Sequence, residues 1–397
     1  MRQIIPVAAL LSWATPLHAQ APWPTDAWPR STPAEQGMRP APIDSLHAAV
    51  TAGTYGLIDR FIVVRNGYLV ADHTYPRDYR EISRGVRTPV GCGPEACRGP
   101  AEVHQFNYLH PDFHPFPTGR KVHTLQSVTK SVTATLIGIA ITRGEVPPVT
   151  TPLPQVLREY DFAALDPRLR RATLEDLLTM RLGIEWHESD RPADSTNTTF
   201  AMELSDNWVA YTLSQPMDTE PGDSFNYNSG ASHLMSAILR TATGLNATQY
   251  AERHLFGPLG IRDYHWKIAP EGLPDTEGGL YLEAPDLAKI GLLYLRGGEW
   301  NDARVVSREW VDGATARQVT RNVGPPGAGW GYGYQWWRLD RRNTVVWAGL
   351  GFGGQYLLVL PEHDAIGVIN SWNLFGRPSG NMLGDAIDAL IASVGGG

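Results

Sequence analysis

Residues 121–144 read KVHTLQSVTKSVTATLIGIAITRG, and two features of this stretch decide how the chain is read. From Ser127 onward it is apolar almost all round and stops at Gly144, as a buried helix closed by a C-terminal glycine would. At its start Ser127 and Lys130 stand three residues apart, so on a helix they share a face, about 5–6 Å apart at Cβ. The chain has only four lysines, Lys121, Lys130, Lys267 and Lys289; the rest of its 34 Lys plus Arg are arginines. A lysine kept beside a serine points to a group that can give up its proton, which arginine cannot. A serine hydroxyl becomes a nucleophile when a base takes its own proton. Bringing a lysine from about 10.4 to about 7 costs roughly 4–5 kcal/mol at 1.36 per unit, and a helix with almost no polar face would enforce it by desolvation. Ser-x-x-Lys is a weak motif by itself; its place at the head of a buried helix gives it weight.

The rest of the chain sets limits on function. At 397 residues, 42% hydrophobic and 19% charged, it has the composition of a globular protein of one large or two modest domains. A net charge of −7 and the lack of any Lys/Arg-rich run argue against nucleic acid. Residues 1–21, MRQIIPVAALLSWATPLHAQA, show one cation, a short apolar run and small residues at Ala19 and Ala21. This predicts a secretory signal peptide and an exported protein, periplasmic or secreted, without membrane insertion. Cys92 and Cys97 are the only cysteines; in an oxidising compartment they predict a local disulfide worth roughly 2 kcal/mol on the loop-entropy model. A metal site built from them with His104, His110, His114 and His123 matches no zinc spacing, so no metal or other cofactor is expected.

Along the chain, residues 22–40 are Pro-rich and read as an extended arm. RFIVVRNGYLVADHTY predicts a β-hairpin turning at Asn66-Gly67, and residues 86–120, rich in Gly, Pro and His, a long functional excursion. From Thr124 to about Leu259 the signals are helical. TLEDLLTMRLGI opens with a Thr cap and an acidic first turn, and GASHLMSAILRTATG again stops on Gly. From about Tyr334 strands are expected at YQWWRL, TVVWAG, YLLVLP and AIGVINSW, then a helix through MLGDAIDALIASV. Strands at both ends around a helical middle predict a discontinuous α/β domain with an all-helical insertion. The parts are a signal peptide (1–21), the arm and first part of the α/β domain (22–120), a mainly helical domain (121–265) and the second part of the α/β domain (266–397). GLGFGG is literally G-x-G-x-x-G, but a strand follows it, not the helix a dinucleotide needs. No G-x-S-x-G elbow occurs, and WHESDR lacks the second histidine of a zincin helix.

The Ser127-x-x-Lys130 helix, SFNYNSGASHLMSAIL a hundred residues on and a late glycine-rich turn before a strand together resemble the serine β-lactamase and penicillin-binding-protein superfamily. TLEDLLTMRLGIEW, EAPDLAKIGLLYLRGGEW and SREWV are more similar to the β-lactamase-related serine hydrolases, the family VIII carboxylesterases and 6-aminohexanoate-dimer hydrolases. The resemblance spans roughly residues 31–395. It implies a β-lactamase/penicillin-binding-protein-like α/β (α+β) fold, an antiparallel sheet flanked by helices with an inserted all-helical domain. It further implies a cofactor-free serine hydrolase forming an acyl-enzyme on a small-molecule ester, amide or peptide: Ser127 as nucleophile, Lys130 as its base, and Tyr227 sharing or relaying the proton. Two departures stand out. The family's Tyr-x-Asn is Tyr227-Asn228-Ser229, where Ser229 offers substrate a hydroxyl in place of an amide. Its Lys-Thr-Gly has no lysine, leaving Trp347-Ala348-Gly349 or Gly349-Leu350-Gly351. GFGGQY resembles the amide-hydrolase turn, which favours the second register and pairs the Phe352 N–H with that of Ser127 as an oxyanion hole. D-alanyl carboxypeptidase or β-lactamase activity, and an inactive cell-wall-binding relative, are the alternatives.

Overall fold

The structure, a computed structural model, describes residues 23–78, 120–191, 196–321, 329–373 and 380–395. Both cysteines, the leader and most of the 86–120 excursion therefore lie outside the described residues.

Strands from the two ends of the chain form one antiparallel sheet. The first hairpin, β1 (Ile58–Arg65) and β2 (Tyr68–Thr74), turns at Asn66 and Gly67 with φ of 51° and 81°, the double left-handed turn that matches strand twist. Three short strands and a small hairpin follow in the middle of the chain: β3 (His123–Thr124), β4 (Tyr264–Trp266) and β5 (Leu280–Leu282) pair in the order β3-β5-β4, and β6 (Glu299–Trp300) pairs with β7 (Ala303–Arg304). The late strands are β8 (Val319–Arg321), β9 (Gly329–Tyr332), β10 (Trp337–Arg341), β11 (Thr344–Gly351), β12 (Gln355–Leu360) and β13 (Ala365–Ser371). The eight-stranded order is β2-β1-β13-β12-β11-β10-β9-β8, so the last strand closes against the first (Val63 opposite Gly367).

Alternation along these strands feeds two cores. On one side Val63, Val346, Leu358 and Ile369 pack with α1 (Pro40–Thr51) and the final helix. On the other, Ile62, Leu357, Val359 and Val368 pack with helix α2 (Val128–Thr142) and the helical middle. In α2 every residue from Val128 to Ala140 is buried, and Gly144 follows at φ 73°. The helical middle holds α3 (Leu174–Leu178), closed at its start by a reciprocal Thr173/Asp176 capping box, and α4 (Ser229–Thr243), ended by Gly244 in the left-handed region. Helices α5 (Ala284–Leu295) and α6 (Met382–Val394) complete the layers. No helix among the described residues is long and apolar enough to cross a membrane.

Three local expectations change. TLEDLLTMRLGI is helical only to Leu178, because Met180 sits at φ 60°. The late strands of the main sheet begin at Val319, well before Tyr334. YQWWRL is not one strand: Gln335 is at φ 60° and buried, with its amide nitrogen donating to Leu178 O (3.0 Å) and its amide oxygen accepting from Ser232 Oγ (2.7 Å). A side chain recruited to tie α3 to α4 breaks the alternation.

Candidate active site

Ser127 is the N-cap of α2 and enters from a bent approach. Gln126, immediately before it, is at φ 48°, a costly conformation for a residue with a side chain. Its Nε2 donates to Thr124 Oγ1 (2.9 Å), and Leu125 is fixed by a bond from its N–H to Leu280 O (2.9 Å). Strand β3 thus delivers Ser127 to the helix start in one orientation. One turn on, Lys130 is 1% exposed and its Nζ donates to Ser127 Oγ (2.9 Å), Glu277 O (2.7 Å) and Glu277 Oε2 (3.1 Å). The same Nζ lies 5.3 Å from the centre of the Tyr227 ring.

Tyr227 stands just before α4, whose N-cap Asn228 accepts from Ala231 N–H (2.8 Å). Trp337 stacks along it at 5.9 Å and Tyr332 meets it edge-on at 6.4 Å. Beside it a cleft of about 290 Å³ is lined by Trp186, His187, Asp190 and Phe225. Ser229 departs from its expected role. It is buried, and both its N–H (2.9 Å) and its hydroxyl (2.7 Å) go to the Glu188 carboxylate; the hydroxyl proton is committed there and does not serve as a donor to a substrate.

Across the nucleophile lies the end of β11. Trp347, Gly349 and Gly351 alternate onto the α2 side of the sheet. A Cβ at Gly349 would sit 2.9 Å from Val128 Cγ1, and one at Gly351 would collide with Leu125 O. Gly349 is therefore demanded by the approach of the strand to α2, and Gly351 by the segment that precedes it. Gly351 is the one against the residues that lead into Ser127, and Phe352 comes next, half-exposed at the head of a turn completed by Gly353 and Gly354 at φ 76° and 96°. Trp347 is partly buried against the α2-side core. Arg338, opposite Trp347 in register, is ion-paired to Asp340 at 3.6 Å.

The surroundings of Lys130 favour its charged form. Burial pushes the Lys130 ammonium down, but the facing Tyr227 oxygen and the carboxylates of Glu277 and Glu188 more than reverse it, so its pKa lies above the ordinary lysine value. The Tyr227 phenol is pushed up by burial, against the pull of Lys130 and Ser127. Behind Lys130 lie further buried groups that the sequence reading does not single out: Glu203, Lys267 and Asp275. Burial, with Glu277 adding to it, raises the Glu203 carboxyl far above the usual range. Lys267 was visible as one of four lysines; Glu277, Glu188 and Glu203 carry no motif that would mark them. His123, the described member of the histidine set, has Nδ1 3.0 Å from Thr124 O and its ring against Trp372. Among the described residues no cluster of three or more metal-ligating side chains is placed to hold an ion.

Known proteins share the family and the fold. The Beta-lactamase family model matches residues 61–392. A 6-aminohexanoate-dimer hydrolase from Paenarthrobacter ureafaciens is 28% identical over 271 residues, 63% of this chain and 66% of that one. An uncharacterised protein of Alkalihalophilus pseudofirmus is 25% identical over 194 residues. The chain spans 66% and 56% of the lengths of these curated relatives. Among solved structures, EstCE1, a hydrolase with promiscuous acyltransferase activity, superposes with a TM-score of 0.65 at 15% identity, covering 90% of this chain and 99% of that one. The octameric penicillin-binding protein homologue from Pyrococcus abyssi gives 0.63 at 18%, covering 88% and 78%. At such identities these two show the fold. Fold and family together define a β-lactamase-related serine hydrolase. The chain belongs to the Beta-lactamase family, through a match that takes in both ends of the sheet and the helix of Ser127.

Proposed function

We propose that this chain is an exported serine hydrolase that cleaves neutral esters or amides through an acyl-enzyme on Ser127. The observation that carries the reading is the buried Lys130 ammonium 2.9 Å from Ser127 Oγ and beneath Tyr227. Lys130 and Tyr227 act as one acid–base unit. In its competent form the pair carries one proton fewer than at rest. It takes the Ser127 proton as Oγ bonds to the carbonyl carbon, and returns it to the leaving atom as that bond breaks; water then releases the acid by the same exchange. The N–H groups of Ser127 and Phe352 receive the oxyanion. The apolar leader in residues 1–21 supports export.

The preference for neutral substrates follows from the missing lysine. β-Lactams and D-alanyl peptides carry a carboxylate, and neither Trp347 nor Gly349 can neutralise it. Arg338, across from Trp347, already faces Asp340. A carboxylate left partly desolvated costs about 1–3 kcal/mol, or about ten- to two-hundred-fold in transition-state binding. The test is covalent labelling by an activated phosphonate, mapped to Ser127, followed by a panel of p-nitrophenyl esters, nitrocefin and D-Ala-D-Ala peptides. We expect kcat/KM for p-nitrophenyl butyrate at least about tenfold above that for penicillins. Efficient penicillin hydrolysis with negligible ester cleavage would put a β-lactamase in its place.

A further inference from the structure

The segment between β4 and β5 carries Asp275 and Glu277 beneath the nucleophile, and it closes on itself. Asp275 Oδ1 accepts from the N–H groups of Glu277 and Gly278, both at 3.0 Å, while the Thr276 hydroxyl donates to Ser232 O in α4 (3.0 Å). This rigid turn aims two acceptors of one residue at Lys130, the Glu277 carbonyl at 2.7 Å and its carboxylate at 3.1 Å. The carbonyl and Ser127 Oγ already give the ammonium two acceptors. The carboxylate adds a full charge where both side chains are only 1–2% exposed, so the charge is costly to bury and barely screened.

We propose that Glu277 is a positioning residue that keeps Lys130 an ammonium throughout acylation, so that the missing proton of the Lys130–Tyr227 pair is missing from the Tyr227 oxygen. Glu277 thereby sets the pH at which the site becomes competent; the inference rests on the acyl-enzyme reading above. In the step it governs, the Tyr227 phenolate takes the Ser127 proton as the Oγ–C bond forms and the carbonyl pair moves onto oxygen. The neutral phenol then hands that proton to the leaving atom. Lys130 keeps its three N–H bonds and donates to Oγ from start to finish. The other charged or titratable groups facing this pair are Glu188 beyond Tyr227, Asp275 in the same turn, Lys267 at the end of β4, Glu203 behind Glu277, and His233 of α4 beyond Asp275.

The sign is set by charge. Taking a proton from the pair removes positive charge beside Glu277, which the carboxylate opposes; deleting the carboxylate makes that loss easier. Glu277→Gln keeps the backbone carbonyl and a side-chain acceptor of the same shape and removes only the charge. The acid limb of kcat/KM for p-nitrophenyl butyrate should move to lower pH by about one unit or more. Glu203→Gln changes a carboxyl that burial pushes toward its neutral form, and it should leave the limb where it is. A uniform fall at every pH with the limb unmoved, or an equal shift in both variants, overturns the proposal. Phosphonate labelling of the wild type separates the two levels. No label at Ser127 removes the acyl-enzyme reading, whereas a labelled enzyme with an unmoved Glu277→Gln limb removes only the role of Glu277. If the glutamine variant does not fold, wild-type protein carrying ¹³Cε-lysine decides. The Lys130 resonance must not titrate through the acid limb, and a coincident titration overturns the proposal.

Discussion

Lys130 and Lys267 are buried to the same degree, 1% and 2% exposed, and share Glu277 as a neighbour, yet they are pushed in opposite directions. Lys130 has Ser127 Oγ, a carbonyl and a carboxylate within 3.1 Å, and Tyr227 over it. Its ammonium is held above the ordinary value. For Lys267 burial outweighs the pull of Asp275, Glu203 and Glu277, and the ammonium is depressed. Burial alone therefore does not make a lysine a base. The charges facing the ammonium decide the sign, and beside the nucleophile the Tyr227 oxygen, then Glu277 and Glu188, favour the charged form.

The largest effect that can break this comparison is in turnover. Lys130→Met should cost at least about 10³-fold in kcat, comparable to Ser127→Ala, because members of one catalytic unit fail together. Lys267→Met should cost far less turnover and show its loss in folding. It strips the cation from among buried carboxylates, a change worth about 3–5 kcal/mol when a buried pair is broken. Urea unfolding and ester kinetics on the two variants check both halves. A Lys267 variant as dead as the Lys130 one, with stability intact, would mean that the depressed lysine takes part in the chemistry.

The sequence reading reached Ser127 and Lys130 because both lie on one helix, where spacing alone places side chains on a face. It reached the sheet because β1, β11, β12 and β13 are long enough for alternation to show. It could not place Glu277, which meets Lys130 across 147 residues through a turn with no periodic signal. Nor could it see that Ser229 faces Glu188, since one turn of rotation at a helix start decides inward or outward. The third motif was ambiguous for a physical reason: Gly349 and Gly351 alternate on one face, and each is crowded from that side, Gly349 by Val128 of α2 and Gly351 by Leu125 ahead of it. The strands β3, β4 and β5 are two or three residues long, too short to carry a pattern, yet β3 is what aims Ser127.

A finer measurement sharpens the contrast between the lysines. With only four lysines in the chain, protein labelled with ¹³Cε-lysine gives four signals, assigned by single substitutions. The Lys130 signal should remain that of an ammonium as pH passes 10.5, while Lys267 should titrate below it. The reverse order would restore burial as the governing influence and return Lys130 to the role of a neutral base.

The smallest expected effect concerns the carboxyl that faces Lys267. Burial, with Glu277 adding to it, raises Asp275 to about 6 from an ordinary 3.8, and Lys267 only partly offsets this. A carboxyl with a folded-state pKa above its unfolded value holds its proton more tightly in the folded chain. Its contribution to stability is full below about 3.8 and is lost as pH rises through about 6. Wild-type protein should therefore lose stability relative to Asp275→Asn between pH 4 and pH 7, by on the order of 2 kcal/mol. The asparagine variant keeps an oxygen able to accept from the Glu277 and Gly278 N–H groups, so the turn itself survives the change. Urea midpoints of both proteins at the two pH values give the difference directly. If wild type instead gains on the variant as pH rises, Asp275 is a stabilised carboxylate. Lys267 is then its firm partner, and the two lysines no longer differ in kind.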